Sequence, residues 1–191
     1  MSMEIDLKKL PYRHGVGICL FNANGLVLMA ERRDRRGAWQ MPQGGVQKDE
    51  ELAKAVLREM KEEIGTSNAR IIARVPEILH YEFPDWLQNR RIGRDEANHA
   101  VFRGKYRGQQ QDWFALRFLG QDSEIDLSGK DEPELPEFVA WKWVPLKETP
   151  AMIVSFKKPA YDRVVEAFSP IGEALARGED FPELVGQEQT T

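Results

Sequence analysis

"GGVQKDEELAKAVLREMKEEIG", residues 44–65, opens on two glycines, closes on one, and crowds Glu59, Glu62 and Glu63 together near its end. Its apolar spacing predicts a helix from about Glu50 to Ile64. Asp49 is suited to the N-cap and Gly65 to the left-handed position past the C-terminus. At about 100° per residue, Leu52, Ala53, Val56, Met60 and Ile64 share one stripe, which is expected to pack on a sheet. Glu59, Glu62 and Glu63 fall on the flank of that stripe as surface neighbours, while Lys54, Arg58 and Lys61 face away. Like charges held that close at the border of a core repel, unless a cation neutralises them. A hard divalent ion takes carboxylate oxygens, so the cluster reads as a preformed metal site. On an exposed helix, by contrast, a "KEE" piece is usually just solvated.

Outward from the helix, strands and loops alternate. "HGVGICLF" places Val16, Ile18 and Leu20 on one face of a strand. "NANG" then signals a turn and "LVLMAE" a second strand, which together make a hairpin. "RRDRRGAWQMPQGG" reads as a loop punctuated by Gly and Pro. After the helix, "ARIIARV", "EILHYEF", "QDWFALRFLG" and "FVAWKWVPL" read as strands. Between the second and third of these, Pro84–Gln110 reads as a long insertion. "SGKDEPELPE" is an acidic loop, and "PAYDRVVEAF" is an amphipathic helix with Val164, Val165 and Phe168 on one side. The interleaving lacks a regular βαβ rhythm, so a mixed α/β sandwich fits better than a doubly wound sheet. Residues 1–11 read as an N-terminal extension and 12–168 as the domain. The acidic tail, 169–191, reads as a short helix followed by disorder.

The chain has 191 residues, 41% of them hydrophobic and 30% charged, which is ordinary for one globular domain. No apolar run approaches the roughly 20 residues of a membrane helix, and no signal-peptide core is evident. Cys19 is alone, which excludes an internal disulfide and leaves it as a small buried hydrophobe. These features favour a cytoplasmic location. A net charge of −4 gives no global attraction to nucleic acid, and no DNA or membrane partner is expected. Local basic clusters do occur, around Arg32–Arg36, in the insertion (Arg90 to Arg107) and at Lys157–Lys158. They suit a local polyanion better than a long groove. Dinucleotide fingerprints and the phosphate-loop motif are missing. His14, His80 and His99 show no metal-ligand spacing.

The spacing Gly44, Glu50, Arg58-Glu59-Met60, Glu62-Glu63 and Gly65 resembles the Nudix box at every fixed position. Thr66 departs from the usual aliphatic residue just beyond it. "WQMPQGG", "KYRGQQQDWF", "PEFVAWKWV" and "VSFKKPAY" follow in the order of the bacterial RNA pyrophosphohydrolase branch, also described as dinucleoside polyphosphate hydrolases. The likeness runs from about Tyr12 to Phe168. Asp112 departs where a lysine is expected, which alters that position's contact and not the fold. The resemblance implies an α/β/α sandwich with a mixed sheet, in which the box forms a loop–helix–loop.

It also implies that Glu59, Glu62 and Glu63 bind Mg2+, with Mn2+ or Zn2+ able to substitute, and that Glu137 joins them from a distant loop. One of Glu62, Glu63 and Glu137 would serve as general base. Arg58 would hold the box together by pairing with acids such as Glu50 or Glu51. Gly44 and Gly45 would let the backbone approach phosphate. Arg13, Arg32 or neighbouring Arg33, Gln40, Gln43 and Lys157 are candidates for contacting it. Phe156, by itself an ordinary core residue, would stack on a base. Tyr81, first a strand aromatic, would offer a hydroxyl. Trp39, Trp113, Trp141 and Trp143 are assigned to packing. The implied reaction is metal-dependent hydrolysis of the triphosphate at an RNA 5′ end to leave a monophosphate. Dinucleoside polyphosphates are a second substrate, and a non-catalytic module that binds nucleotides or RNA ends is the alternative.

Overall fold

A computed structural model describes residues 7–84, 105–129 and 135–184. The expected hairpin forms from β1 (Tyr12–Phe21) and β2 (Leu26–Arg32). Its turn is built by Asn22, whose Oδ1 accepts from the backbone N–H of Asn24 at 2.9 Å and of Leu26 at 3.1 Å. Gly25 closes the turn with φ of 71°, a conformation that only glycine adopts without strain. Then come β3 (Trp39–Gln40) and β4 (Gln43–Gly45), two short strands inside the stretch expected to be loop. Helix α1 (Leu52–Ile64) is followed by β5 (Ala69–Arg74), β6 (Leu79–Glu82), β7 (Gly108–Phe118) and β8 (Phe138–Pro145). A short helix α2 (Thr149–Met152) and the long α3 (Lys158–Ala176) complete the order.

Among the described residues, eight strands form one mixed sheet. Its backbone is the parallel pair β1–β7, in register from Tyr12 opposite Gly108 to Phe21 opposite Arg117. Every other pairing is antiparallel. Each long strand shares one edge between two short partners. β1 is met by β4 at Gly15–Gly17 and by β2 at Phe21, and β7 by β6 near its start and β5 near its end. The resulting fork carries Gln43–Gly45 away from the hairpin and toward α1.

Alternation along the strands sends side chains to two cores. Val16, Ile18 and Leu20 pack with Leu28, Val56, Met60 and Ile64 beneath α1. Cys19, Phe21, Met29, Trp113 and Ala115 pack with Tyr161, Val164 and Phe168 beneath α3. Helices thus cover both faces of a mixed sheet, which is the α/β sandwich expected. Cys19 is buried as expected.

Several local expectations are corrected. Helix α1 starts two residues late: Glu51 is its N-cap, and Asp49 adopts φ of 61° in the preceding turn. Asp49 cannot cap because Glu50 is pulled out of the helix to bind Arg58 and the Gln47 N–H. Ala55, not Ala53, lies in the buried stripe, because the packed face is centred closer to Glu59 and Glu63 than the wheel placed it. Gly108–Gln110 belong to β7 rather than to the insertion, and residues 85–104 of that insertion lie outside the described residues.

The expected boundary at Phe168 falls inside α3, which runs on to Ala176 and buries Ala174 and Leu175 in the core. Of the expected tail and extension, residues 185–191 and 1–6 lie outside the described residues. Among the described residues, no helix is long and apolar enough to cross a membrane.

Candidate active site

The fork in the sheet places β4 across the start of β1 and beside α1. Gly44 pairs with Val16, and its bare Cα faces Glu59. A Cβ there would lie 1.7 Å from Glu59 Oε2, so the carboxylate fills the space that only glycine leaves open. A Cβ on Gly45 would meet the Arg13 guanidinium at 2.4 Å, which places Arg13 against the same strand. The Gln43 N–H donates to Glu63 Oε2 at 2.9 Å. Met41 N–H, at the β3–β4 corner, donates to the buried Tyr161 hydroxyl at 2.8 Å, which ties the corner to α3.

Arg58 does not face away. It donates to Glu50 at 2.7 and 2.8 Å, to Glu59 at 2.8 Å, to Glu62 at 3.0 Å and to the Gly45 carbonyl at 2.8 Å. Its expected role in holding the loop–helix–loop therefore has a concrete geometry, with Glu50 as partner; Glu51 pairs with Lys54 instead. Glu59 and Glu62 share the Arg58 Nη1 group, and among the described residues no three acidic or imidazole side chains already converge into a cage.

Burial pushes the Glu59 carboxyl up, with Arg58 opposing. Burial pushes Glu63 well up, and Glu137 and Glu59 add to the rise. Arg58 holds Glu50 down to about 2. The residues fit a divalent cation. Their donors are all hard carboxylate oxygens. Bare Gly44 leaves the space that the Glu59 carboxylate fills, next to the strand whose Gln43 N–H holds Glu63.

Glu137, far away in sequence, does join this group. It lies just before β8, close enough for its charge to act on Glu63. It accepts from Arg32 at 2.7 Å and from Gln40 at 3.2 Å. Arg32 is therefore engaged with protein acids: Asp34 takes its other edge at 2.8 and 2.9 Å. Burial works against its charge, but Asp34 and Glu137 more than offset that and raise its pKa.

Lys157 lies in a 3-10 turn before α3. It is buried, with amide oxygens of Gln40 and Gln43 each 3.3 Å away and the Tyr81 ring beneath it. Burial and Arg32 push it down to about 8. Tyr81 is 5% exposed and donates to Gln109 at 2.7 Å, so its hydroxyl is spent inside the protein. Phe156 is half-buried with its ring 5.8 Å from that of Tyr81, between the core and stacking roles. Trp113 is fully buried, and Trp141 and Trp143 pack edge to face.

Sequence reasoning missed Gln109 and Gln111, buried amides linked at 3.0 Å on the α3 face of β7. The available signal was alternation: two glutamines precede Trp113 and Ala115 on an inward face. Asp112, on the other face, is nearly inaccessible and bonded to His14 at 2.7 Å and to Arg74. Its departure from lysine is thus absorbed by two local partners.

Comparison with known proteins was made on this basis. The model of the NUDIX domain matches residues 11–164. The chain belongs to the NUDIX family. This NUDIX chain is 45% identical over 172 residues to the RNA pyrophosphohydrolase of Gluconacetobacter diazotrophicus, covering 86% of this chain and 95% of that one. It is 46% identical over 156 residues to the protein of the same name from Rhodospirillum rubrum, covering 82% and 86%. Its fold is shared with the E. coli dihydroneopterin triphosphate pyrophosphohydrolase, at a TM-score of 0.57 and 20% identity over 82% of this chain and 99% of that one. It is also shared with a C. elegans Ap4A hydrolase, at 0.55 and 16% over 83% and 98%. NUDIX hydrolases generally depend on divalent metal.

Proposed function

We propose that this chain is a pyrophosphohydrolase that cleaves a phosphoanhydride bond at the 5′-triphosphate end of RNA and leaves a 5′-monophosphate. One juxtaposition carries the reading: the acids Glu59, Glu62, Glu63 and Glu137 and the cations Arg13 and Lys157 gather around the Gln43–Gly45 strand and the Gln40 amide. Relatives named RNA pyrophosphohydrolase that match over most of both chains support it.

Glu59, Glu62 and Glu63, with Glu137, would hold Mg2+, or Mn2+ or Zn2+ in its place. When bound, the ion neutralises phosphate charge and acidifies a water. The other residues position. Arg13 and Lys157 grip phosphate oxygens, with Gln40 and Gln43 orienting the ammonium. Gly44 and Gly45 admit the polyphosphate close to the backbone, and Phe156 offers a face to a base. Phosphoryl transfer needs little beyond such positioning and charge, which suits acids and cations gathered around one strand. Dinucleoside polyphosphates present the same phosphoanhydride and form the second substrate class. Chemistry confined to a chain end fits a cytoplasmic enzyme of RNA turnover that has modest basic patches.

The deciding experiment is product analysis on 5′-triphosphorylated RNA beside diadenosine tetraphosphate, with Mg2+ and with a chelator. Monophosphorylated RNA formed only with metal is expected. Preferential cleavage of the dinucleotide in direct competition would reverse the order of substrates, and binding without hydrolysis would leave a sensor.

Lys157 adds a pH test. Its amine is held near 8, so it loses its charge as pH rises through that value. Since kcat/KM reports the free enzyme, kcat/KM should fall above about pH 8 and stay level in Lys157→Arg. A wild-type profile flat to pH 10 would remove Lys157 from phosphate binding.

A further inference from the structure

The Glu137 carboxylate is brought to the acids of α1 from a distant loop, where it accepts from Arg32 and Gln40, and carboxylates gathered in this way repel one another. Glu137 stands on a loop and is 37% exposed, so by itself it would swing into solvent. The end of β2 holds it back through both backbone and side chain. Arg33 N–H donates to the Glu137 carbonyl at 2.8 Å, and Arg33 Nε donates to the Pro136 carbonyl at 2.7 Å. Arg32 Nη1 donates to the Glu137 carboxylate at 2.7 Å. A bulge between Glu31 and Arg32, opposite β8, brings both arginines to the loop.

The direction of Arg32 is set from behind. Asp34 takes its Nε and Nη2 at 2.8 and 2.9 Å, a fork-to-fork pair. A guanidinium is planar and rigid, so fixing that edge fixes where Nη1 points.

We propose that Asp34 and Arg33 are positioning residues for Glu137. Asp34 aims Arg32, and Arg33 holds the Pro136–Glu137 backbone, so that the Glu137 carboxylate stays with the acids of α1. The proposal rests on the pyrophosphohydrolase reading of the site. Asp34 acts through Arg32, and Arg33 acts through the loop backbone. Both are exposed, and exposed ion pairs add little stability, so their geometry serves aim more than folding.

The test is a double-mutant cycle on the full chain with 5′-triphosphorylated RNA and Mg2+. Asp34→Ala should lower kcat roughly tenfold, less than the about 10²-fold loss that a 1 Å misplacement can bring, because Glu137 keeps its backbone tie. KM and Tm should hardly move. Placed on Glu137→Gln, Asp34→Ala should bring no further loss, because the group it aims is gone. Arg33→Ala should follow the same pattern. An equal loss in both backgrounds, an unchanged kcat, or a change in KM alone overturns the proposal. Full activity of a parallel Glu59→Gln control would instead show that the reading of the whole site has failed.

Discussion

Glu59→Gln is expected to lower kcat on 5′-triphosphorylated RNA by about 10²–10³-fold, the scale of removing one electrostatic element from a reacting site. The variant should fold. Glu59 is a largely buried carboxyl that burial already disfavours in its charged form. The isosteric amide keeps its shape beside Gly44, and Arg58 retains Glu50 and Glu62. Melting temperature and far-ultraviolet circular dichroism should match wild type while kcat falls. Turnover near wild type at saturating Mg2+ would refute the role of the cluster.

Arg58→Ala is expected to act on stability as much as on turnover. Arg58 is the partner of Glu50 and Glu59, whose side chains are 13% and 12% exposed, and it also caps the Gly45 carbonyl. Removing it strands partly buried acids, a loss of about 3 kcal/mol. For a chain of this size that corresponds to a fall in Tm of about 6–12 °C. The pH dependence has a definite sign. Glu50 is held at about 2, below its ordinary 4.5. Its contribution to wild-type stability is therefore present above 4.5 and lost as pH falls toward 2. In Arg58→Ala that share of the acid dependence should disappear. A Tm at neutral pH equal to wild type would show that the acids do not rely on this guanidinium.

The fold was legible where local rules are strong. The asparagine–glycine turn, the alternation of Val16, Ile18 and Leu20, and Gly65 as the left-handed stop of α1 all appear as read. The start of α1 was not, because Glu50 answers to Arg58, a tertiary contact that no cap preference encodes. β3 and β4 were read as loop because they are two and three residues long, too short to show alternation, and are defined only by their ladders with β2 and β1.

In the candidate site, the helical acids stood out by spacing. Glu137 came only through resemblance, since nothing local ties a loop acid to Glu63. Arg58 illustrates the limit of a helical wheel. The wheel gives the angle of a Cα, but a long side chain can fold back across its own helix to the acids beside it. Arg32 was read as a phosphate candidate from its basic cluster alone; its pairing with Asp34 and Glu137 depends on tertiary contacts that no local pattern encodes.

Gly25, at the tip of the hairpin, meets the backbone of Gly172 in α3; a methyl group there would sit 2.0 Å from the Gly172 carbonyl oxygen. The outermost turn of the molecule is thereby seated on a helix segment that lies past the portion shared with the family model. Trimming this protein back to the family consensus would leave the hairpin tip without its seat. Transplanting its active-site segments onto a shorter relative would therefore have to carry that helical seat along.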